Sequence, residues 1–222
     1  MEDLNIKQNC LLYYDSITTF KTIVKEHQID DWFIYALPIE DRKTRIDYSH
    51  RYQFLKEQNQ KTITTTNEQE IVSWIDTMNF MFYALDHIKN KSGIKIIQEL
   101  KIPFSNKRPD YVITKDNKIL IIEFSFKKLG DDYQYENKLT QAIGYKELLS
   151  NLLPNHIQIG TYTYLMKPEI EKSGKQILVQ SKYTNEEVDT NYDGRLEMAK
   201  YIDEFFSTTK KTAFEELLKI VI

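Results

Sequence analysis

The sequence predicts an α/β fold in which a short mixed β-sheet is flanked by helices and preceded by a helical N-terminal part. Three observations predict it: apolar residues at the helical period around position 75, a continuous hydrophobic run at 118–126, and a helical segment followed by two strand-like runs. The chain has 222 residues, which suits one domain with its own core. We expect a single domain over 1–222, with a mainly helical part at 1–100, a sheet core at 101–185 and C-terminal helices at 190–222.

The helical N-terminal part is predicted from two segments. The first of them, roughly 60 residues long, is clearest in the stretch LLYYDSITTFKTIVKEH. A polar run at 58–67 predicts a loop, and Asn67 with Glu70 has the spacing of a capping box. The helix that follows has a stripe of core residues at helical spacing and is expected to end by Gly93. The stripe consists of Ile71, Ile75, Met78, Phe82 and Leu85.

The sheet core is predicted from a β-hairpin and two later strands. Residues 111–114 and 119–126 are β-rich and flank the turn-like tetrapeptide 115–118. The second run, KILIIEFSF, is almost continuously hydrophobic, which is typical of a strand buried on both faces. A helix over 133–153 is stopped by Pro154, and HIQIGTYTYLM and KQILVQSKYT are the later strands. Asn191 or Asp193 is expected to begin the last helix.

Composition excludes several classes of protein. The net charge is −3, which argues against a basic, charge-driven nucleic-acid module of the histone type. There is one cysteine, Cys10, so we expect a reducing compartment, and the cytoplasm is the natural choice. The opening MEDLNIKQNC does not have the pattern of a signal peptide, and no apolar run approaches the roughly 20 residues that span a bilayer. We therefore expect no membrane partner.

Two carboxylates in the predicted hairpin are the candidate metal ligands. Asp110 stands at the start of the first strand, and Glu123 lies near the end of the second, so the hairpin can bring them together. Their hard oxygen atoms suit Mg²⁺ or Mn²⁺, which can activate water and neutralise charge on a phosphate. Glu123 lies among hydrophobic residues, and an unpaired buried carboxylate is costly, so it needs a partner or an ion. A salt-bridged or solvent-facing glutamate is the alternative interpretation.

The helix after the hairpin offers three polar side chains on one face. Lys138, Gln141 and Tyr145 have the spacing i, i+3 and i+7. A lysine at this place could orient the attacking water or stabilise the charged transition state. Ordinary packing or a solvated surface would give the same spacing.

These residues resemble the motif of the PD-(D/E)xK nucleases. Pro109-Asp110, a hairpin and then Glu123-Phe124-Ser125 are most similar to the cap-snatching endonucleases at the N-terminus of bunyavirus-type, phlebovirus-like L polymerases. Weaker counterparts extend over most of the chain, while the specific part is 110–145. The weaker ones are Ala36-Leu37-Pro38, Met78-Asn79-Phe80, Thr140, Tyr145 and Arg195-Leu196.

The resemblance implies a PD-(D/E)xK nuclease-like core and a metal-dependent endonuclease that cleaves RNA. Two Mn²⁺ or Mg²⁺ ions, roughly 4 Å apart, would be bridged by Asp110, with Glu123 and the backbone carbonyl of Phe124 as further ligands. The substrate would be single-stranded RNA, namely capped mRNA. The remainder of a viral polymerase would be the protein partner, and the location would be the host cytoplasm or the virion.

Two departures from the family pattern leave alternatives open for the lysine and for the substrate. Ser125 stands where the superfamily has its strand lysine, so Lys138 is the first candidate for that role and Lys127 the second. A gapless match instead places Gln141 at the helix lysine. Gln141 and Tyr145 also fit the QxxxY feature of RecB-like DNA nucleases, so a microbial DNA endonuclease of the restriction or repair kind is the main rival.

A third departure concerns the ligand from the long helix. The related viral enzymes carry a histidine there, but Phe82 occupies that place. Asp86 and His87 follow one turn later as the candidates, and Asp76 or a residue of the turn at 68–70 is the fallback. A nuclease fold that has lost catalysis and serves only for binding is the remaining alternative.

Overall fold

A computed structural model describes residues 9–26, 50–62, 68–105, 107–126, 133–170, 176–179 and 194–207, together with 214, 217 and 220. The chain forms an α/β structure with five helices and six strands in the described part. The helices are α1 Ile17–Glu26, α2 His50–Thr62, α3 Glu68–Asp86, α4 Tyr133–Leu152 and α5 Gly194–Phe205. The strands are β1 Leu12–Tyr14, β2 Lys95–Gln98, β3 Tyr111–Lys115, β4 Lys118–Phe126, β5 Gln158–Ile170 and β6 Gln176–Val179.

The sheet is mixed, as the sequence predicts. Strands β1 to β4 are antiparallel neighbours in chain order, and β5 lies parallel to β4. Helix α4 makes the crossover that a parallel pair requires. Strand β6 extends the five-stranded sheet by pairing antiparallel with the outer end of β5, from Lys167 to Ile170. The helices flank this sheet, which confirms the α/β class.

The predicted hairpin is present as β3 and β4. Lys115 pairs with Lys118, so the turn between the strands contains only Asp116 and Asn117. Asp116 has a φ of 52°, a left-handed conformation that Asp and Asn tolerate better than most residues and that tight hairpin turns require. All five residues of β3 are buried, and so are residues 118–125 of β4. The hydrophobic run is therefore buried on both faces, as expected.

Two hydrophobic cores cover the two faces of the sheet. Leu120, Ile122 and Phe124 of β4 pack in one core with α1, α2, α3 and α5. Ile119 and Ile121 pack in the other core with residues of α4. Because side chains alternate along a strand, Glu123 faces α4. This alternation decides which helix can supply a partner to the buried carboxylate.

Arg51 holds α3 in place against α1 and α2. Its side chain is fully buried, and its guanidinium donates to the carbonyl oxygen of Val24 at 2.6 Å and to the side-chain oxygen of Asn79. One cation thus joins three helices, one of which is α3, the helix whose first turn lies near the hairpin.

The N-terminal third departs from the prediction in four places. The polar run at 58–67, expected as a loop, is helical at 58–62, because α2 continues to Thr62 and buries Asn59. Leu12–Tyr14 is a strand, not the start of a helix, and the helix begins only after Ser16, whose hydroxyl accepts from the Thr19 N–H at 3.0 Å. Strand β2 was not predicted, and with β1 it joins the sheet to the first hundred residues. Helix α3 ends at Asp86 rather than reaching Gly93, which has a φ of 74° in the connection to β2.

Some predicted features lie outside the described residues. These are Ala36-Leu37-Pro38, Lys127, Asn191, Asp193 and most of the KQILVQSKYT strand beyond β6. In the part of the chain that is described, no helix combines the length and the apolar character needed to cross a lipid bilayer.

Candidate active site

The hairpin brings Asp110 and Glu123 into direct contact. The backbone N–H of Asp110 donates to Glu123 Oε1 at 3.0 Å. In return, the backbone N–H of Phe124 donates to Asp110 Oδ2 at 2.7 Å. Each carboxylate is therefore fixed by the backbone beside the other, which places two carboxylates at one end of the hairpin.

Lys138 joins the two carboxylates from α4. Its Nζ lies 2.8 Å from Glu123 Oε2 and 3.6 Å from Asp110 Oδ2. This contact follows from the alternation along β4, which directs Glu123 to the α4 face. The helix thus supplies a lysine at the carboxylate pair, whereas Ser125 in the strand is buried and offers only a hydroxyl.

Two further acids, Glu99 and Glu70, lie around this pair. Glu99 follows β2 directly, its side chain is buried, and its backbone N–H donates to the carbonyl oxygen of Asp110 at 3.1 Å. Glu70 stands in the first turn of α3, and its charge interacts with those of Asp110 and Lys138. The site therefore combines four carboxylates from α3, the end of β2, and the hairpin.

Sequence reasoning missed Glu99 and held Glu70 only as part of a fallback at 68–70. A signal for Glu99 exists, because it lies two residues after the apolar pair Ile96-Ile97, as Glu123 directly follows Ile121-Ile122. The segment falls in the part predicted to be helical, so the sequence does not indicate that Glu99 follows a strand.

Arg108 bridges this second pair of acids. Its Nη2 lies 2.7 Å from Glu70 Oε1, and its Nε lies 3.6 Å from Glu99 Oε2. The hydroxyl of Tyr145 donates to the carbonyl oxygen of Arg108 at 3.4 Å. Lys138 and Arg108 thus each connect two carboxylates, and the cluster holds four acids against two cations.

Burial dominates the electrostatics of the cluster. Burial and, to a smaller extent, the charge of Asp110 together raise the pKa of Glu123 to about 8, although Lys138 and the Asp110 N–H act in the opposite direction. Burial also raises the pKa of Glu99 well above its usual range, and that of Glu70 to a smaller extent, with Asp110 adding to both. Burial disfavours the charged form of Lys138, but Asp110 and Glu123 outweigh it and raise its pKa. The cluster is short of positive charge.

A divalent cation fits this deficit. Carboxylate oxygens are the ligands that Mg²⁺ and Mn²⁺ prefer, and the acids come from α3, the end of β2 and the hairpin. Within the described residues, no three acidic, histidine or cysteine side chains already form one ligand group. In these residues each acid pair is bridged by a cation of the protein, either Lys138 or Arg108.

The structure does not bring Asp86 or His87 to the carboxylates. Asp86 pairs with Lys21 and lies 3.8 Å from Lys91, and His87 is exposed beyond the end of α3. Sixteen residues separate Asp86 from Glu70 along the helix, which corresponds to about 24 Å at 1.5 Å per residue. The N-terminal end of α3 faces the hairpin, so it is Glu70, and not Asp86 or His87, that the helix brings toward the carboxylates. Asp76 is buried in the middle of the helix, where its charge acts on Arg51.

The other candidates differ in their accessibility. Tyr145 is buried beneath the cluster, while Gln141 is exposed on the same side of α4. Phe124 is buried among aromatic rings of the α3-side core, and its backbone N–H contacts Asp110. Lys127 lies outside the described residues, so Lys138 is the lysine that the structure places at the carboxylates.

Neutralising Glu123 should stabilise the metal-free protein at alkaline pH. The raised pKa means that the folded state keeps a proton that the unfolded chain releases near 4.5, so stability falls as the pH rises from 4.5 to about 8. Glu123→Gln removes this dependence and should raise the free energy of unfolding by on the order of 1–2 kcal/mol above that range. Urea unfolding in EDTA near pH 5 and near pH 9 measures the difference.

Glu147→Gln, at an exposed position of the same helix, is the matched control and should change stability little at either pH. A Glu123→Gln variant that is less stable than wild type at both pH values would contradict the electrostatic description.

Comparison with protein-family models, with curated proteins and with solved structures finds no match to this chain.

Proposed function

We propose that this chain is a divalent-metal-dependent endonuclease of the PD-(D/E)xK type that cleaves RNA. One observation carries the proposal: Lys138 contacts both Asp110 and Glu123, which are locked together by backbone hydrogen bonds at the end of a hairpin. Two acids and a lysine, assembled from the motif and the next helix, form the set that the motif requires. The mixed sheet with flanking helices is compatible with such a core.

The proposed metal ligands come from two places, the end of the hairpin and the Glu70–Glu99 pair. Asp110 and Glu123 would hold the ions from the hairpin. The N–H and C=O of one strand residue point to the same side, and the Phe124 N–H points to Asp110, so the Phe124 carbonyl is directed to that side as well. Glu70 and Glu99 would supply the remaining protein oxygens. The bound ions would supply charge neutralisation and water activation.

The side chains of the chain itself then have separate tasks. The Lys138 ammonium, held at Glu123, would stabilise the negative charge that develops on the phosphate oxygens. Tyr145 supports the backbone carbonyl of Arg108 from below and fixes the segment that leads to Asp110. Gln141, exposed on the same side of α4, is placed to contact the bound strand.

The proposed biological setting is the cap-snatching domain of a segmented negative-strand RNA virus polymerase. This part rests on the resemblance of Pro109-Asp110 and Glu123-Phe124-Ser125 to those enzymes. The substrate would be capped mRNA, the partner would be the remainder of the polymerase, and the location would be the host cytoplasm or the virion.

A cleavage assay tests the proposed activity. Single-stranded RNA and DNA of matched sequence should be incubated with the protein in Mn²⁺, in Mg²⁺ and in EDTA. We expect internal cleavage of RNA with Mn²⁺ or Mg²⁺ and none with EDTA. Cleavage that persists in EDTA would contradict a metal-dependent mechanism.

A DNA endonuclease of the restriction or repair kind is the second candidate. Lys138, Gln141 and Tyr145 all lie on the side of α4 that carries the site, an arrangement that also fits the QxxxY feature of RecB-like nucleases. Preferential cleavage of DNA in the same assay would favour it. Binding of nucleic acid with no cleavage under any metal condition would favour the inactive, binding-only alternative.

A further inference from the structure

We infer that Arg108 is a built-in counter-cation that occupies the Glu70–Glu99 pair in the metal-free protein and must release it before a second divalent cation can bind there. Arg108 would therefore be a positioning residue that sets how readily the second ion enters. The inference rests on the proposed function, because it assumes that the site takes divalent cations.

The contacts of the guanidinium support this role. Arg108 Nη2 reaches Glu70 Oε1 at 2.7 Å, a short charge-assisted bond, and Nε reaches Glu99 Oε2 at the longer distance of 3.6 Å. Within the described residues, the third nitrogen, Nη1, is buried and has no hydrogen-bond partner. The hydrogen-bonding capacity of the Arg108 guanidinium is therefore only partly used, whereas a guanidinium with a permanent structural role normally has all its nitrogens hydrogen-bonded.

The charge of Arg108 does not fully neutralise the two acids that it bridges. Glu99 has only 6 % of its side chain exposed, and Glu70 has 29 % exposed. The single charge of Arg108 is shared between these two carboxylates. A divalent cation would neutralise both carboxylates, so its electrostatic attraction to the pair is stronger than that of the singly charged Arg108.

The chain also allows the guanidinium to move without moving the site. The Arg108 carbonyl is held by Tyr145, and Asp110, two residues later, is held by Glu123 and Phe124. The backbone is thus anchored on both sides, while the long side chain, 20 % exposed, can swing toward solvent. Lys138 differs from Arg108 in its position in the fold, because it reaches the Asp110–Glu123 pair from helix α4. Its Nζ lies 2.8 Å from Glu123 Oε2.

A purely structural salt bridge makes a different prediction. Its loss would lower stability and leave the metal affinity unchanged, or weaken it through disorder of the ligands. If Arg108 competes with the ion, its loss lowers stability without metal but strengthens metal binding. Metal affinity therefore separates the two roles.

Titration calorimetry with Mn²⁺ on wild type, Arg108→Gln and Arg108→Lys tests the inference. We expect Arg108→Gln to bind the more weakly held ion about tenfold more tightly or better, because a positive charge near the ion is removed. Its melting temperature should be lower than that of wild type in EDTA and should rise more on adding Mn²⁺. Arg108→Lys should keep an affinity near that of wild type, since it restores the charge.

Lys107→Gln is the matched control, because it removes one positive charge from an exposed neighbouring residue and should leave the affinity unchanged. Unchanged or weaker Mn²⁺ binding in Arg108→Gln, with normal binding in wild type, would overturn the inference and leave the proposed function standing. Absence of Mn²⁺ binding in all variants and in wild type would overturn the proposed function and the inference together.

Discussion

Replacing Asp110 with Asn should abolish the rise in melting temperature that Mn²⁺ produces in the wild-type protein. An ion that binds only the folded state stabilises it by about 2.7 kcal/mol at one hundred times its dissociation constant, which is about 5–10 °C for a chain of this size. Asn keeps an oxygen that can accept the Phe124 N–H, so the hairpin should remain intact. The charge that would bridge the ions is lost. Differential scanning fluorimetry with Mn²⁺ and with EDTA measures the effect.

Two matched controls accompany this variant. Asp116→Asn changes the same side chain in the turn of the same hairpin, where Asn tolerates the left-handed conformation. Asp86→Asn changes the acid at the far end of α3, where it pairs with Lys21. Both should keep the Mn²⁺ shift. A full shift in Asp110→Asn would refute the assignment of the site, and loss of the shift in Asp86→Asn would indicate that Asp86 takes part in metal binding.

Replacing Lys138 with Met should lower the turnover of RNA cleavage about 10²–10³-fold, the cost of removing one group that stabilises transition-state charge. Met retains the length of the side chain and its apolar stem, so the packing of α4 should be preserved. Mn²⁺ binding should remain or become tighter, because the lost cation lies beside two candidate ligands. A decrease in kcat with retained metal affinity would identify a charge that acts during the reaction.

Lys146→Met, on an exposed position of the same helix, should cleave at the wild-type rate and serves as the control. Lys127→Ala is expected to have the smaller effect of the two candidate lysines. Wild-type turnover in Lys138→Met would mean that the lysine role belongs to another residue or to none. Loss of Mn²⁺ binding in Lys138→Met would instead indicate that the lysine organises the carboxylates.

The features that the sequence could predict are those encoded by neighbouring residues. The hairpin follows from two β-rich runs around a short turn, and the meeting of Asp110 and Glu123 follows from the hairpin. Helix α4 ends at Leu152, just before Pro154 as expected, because proline cannot continue a helix. The contact of Lys138 with Glu123 needs only the alternation of side chains along β4 and a helix on that face.

The features that could not be predicted depend on distant parts of the chain. Strand β1 is only three residues long and has meaning only through its pairing with β2. The core stripe of α3 shows which side of the helix is buried, but not which end lies near the hairpin. For that reason the sequence favours Asp86 and His87 over Glu70, although all three lie on or next to the same helix.

The length of the two-residue hairpin turn sets the register that brings the site residues together. Five cross-strand pairs, from Lys115 with Lys118 to Tyr111 with Ile122, separate the turn from the carboxylates. A shift of register by one residue would turn Glu123 to the opposite face, into the aromatic core around Phe124 and away from Lys138. At Asp116, Asn or Gly should therefore be tolerable because both accept the left-handed conformation, while a change in the number of turn residues should not be tolerable. The number of residues in this turn therefore matters as much for the geometry of the candidate site as the identity of the acids does.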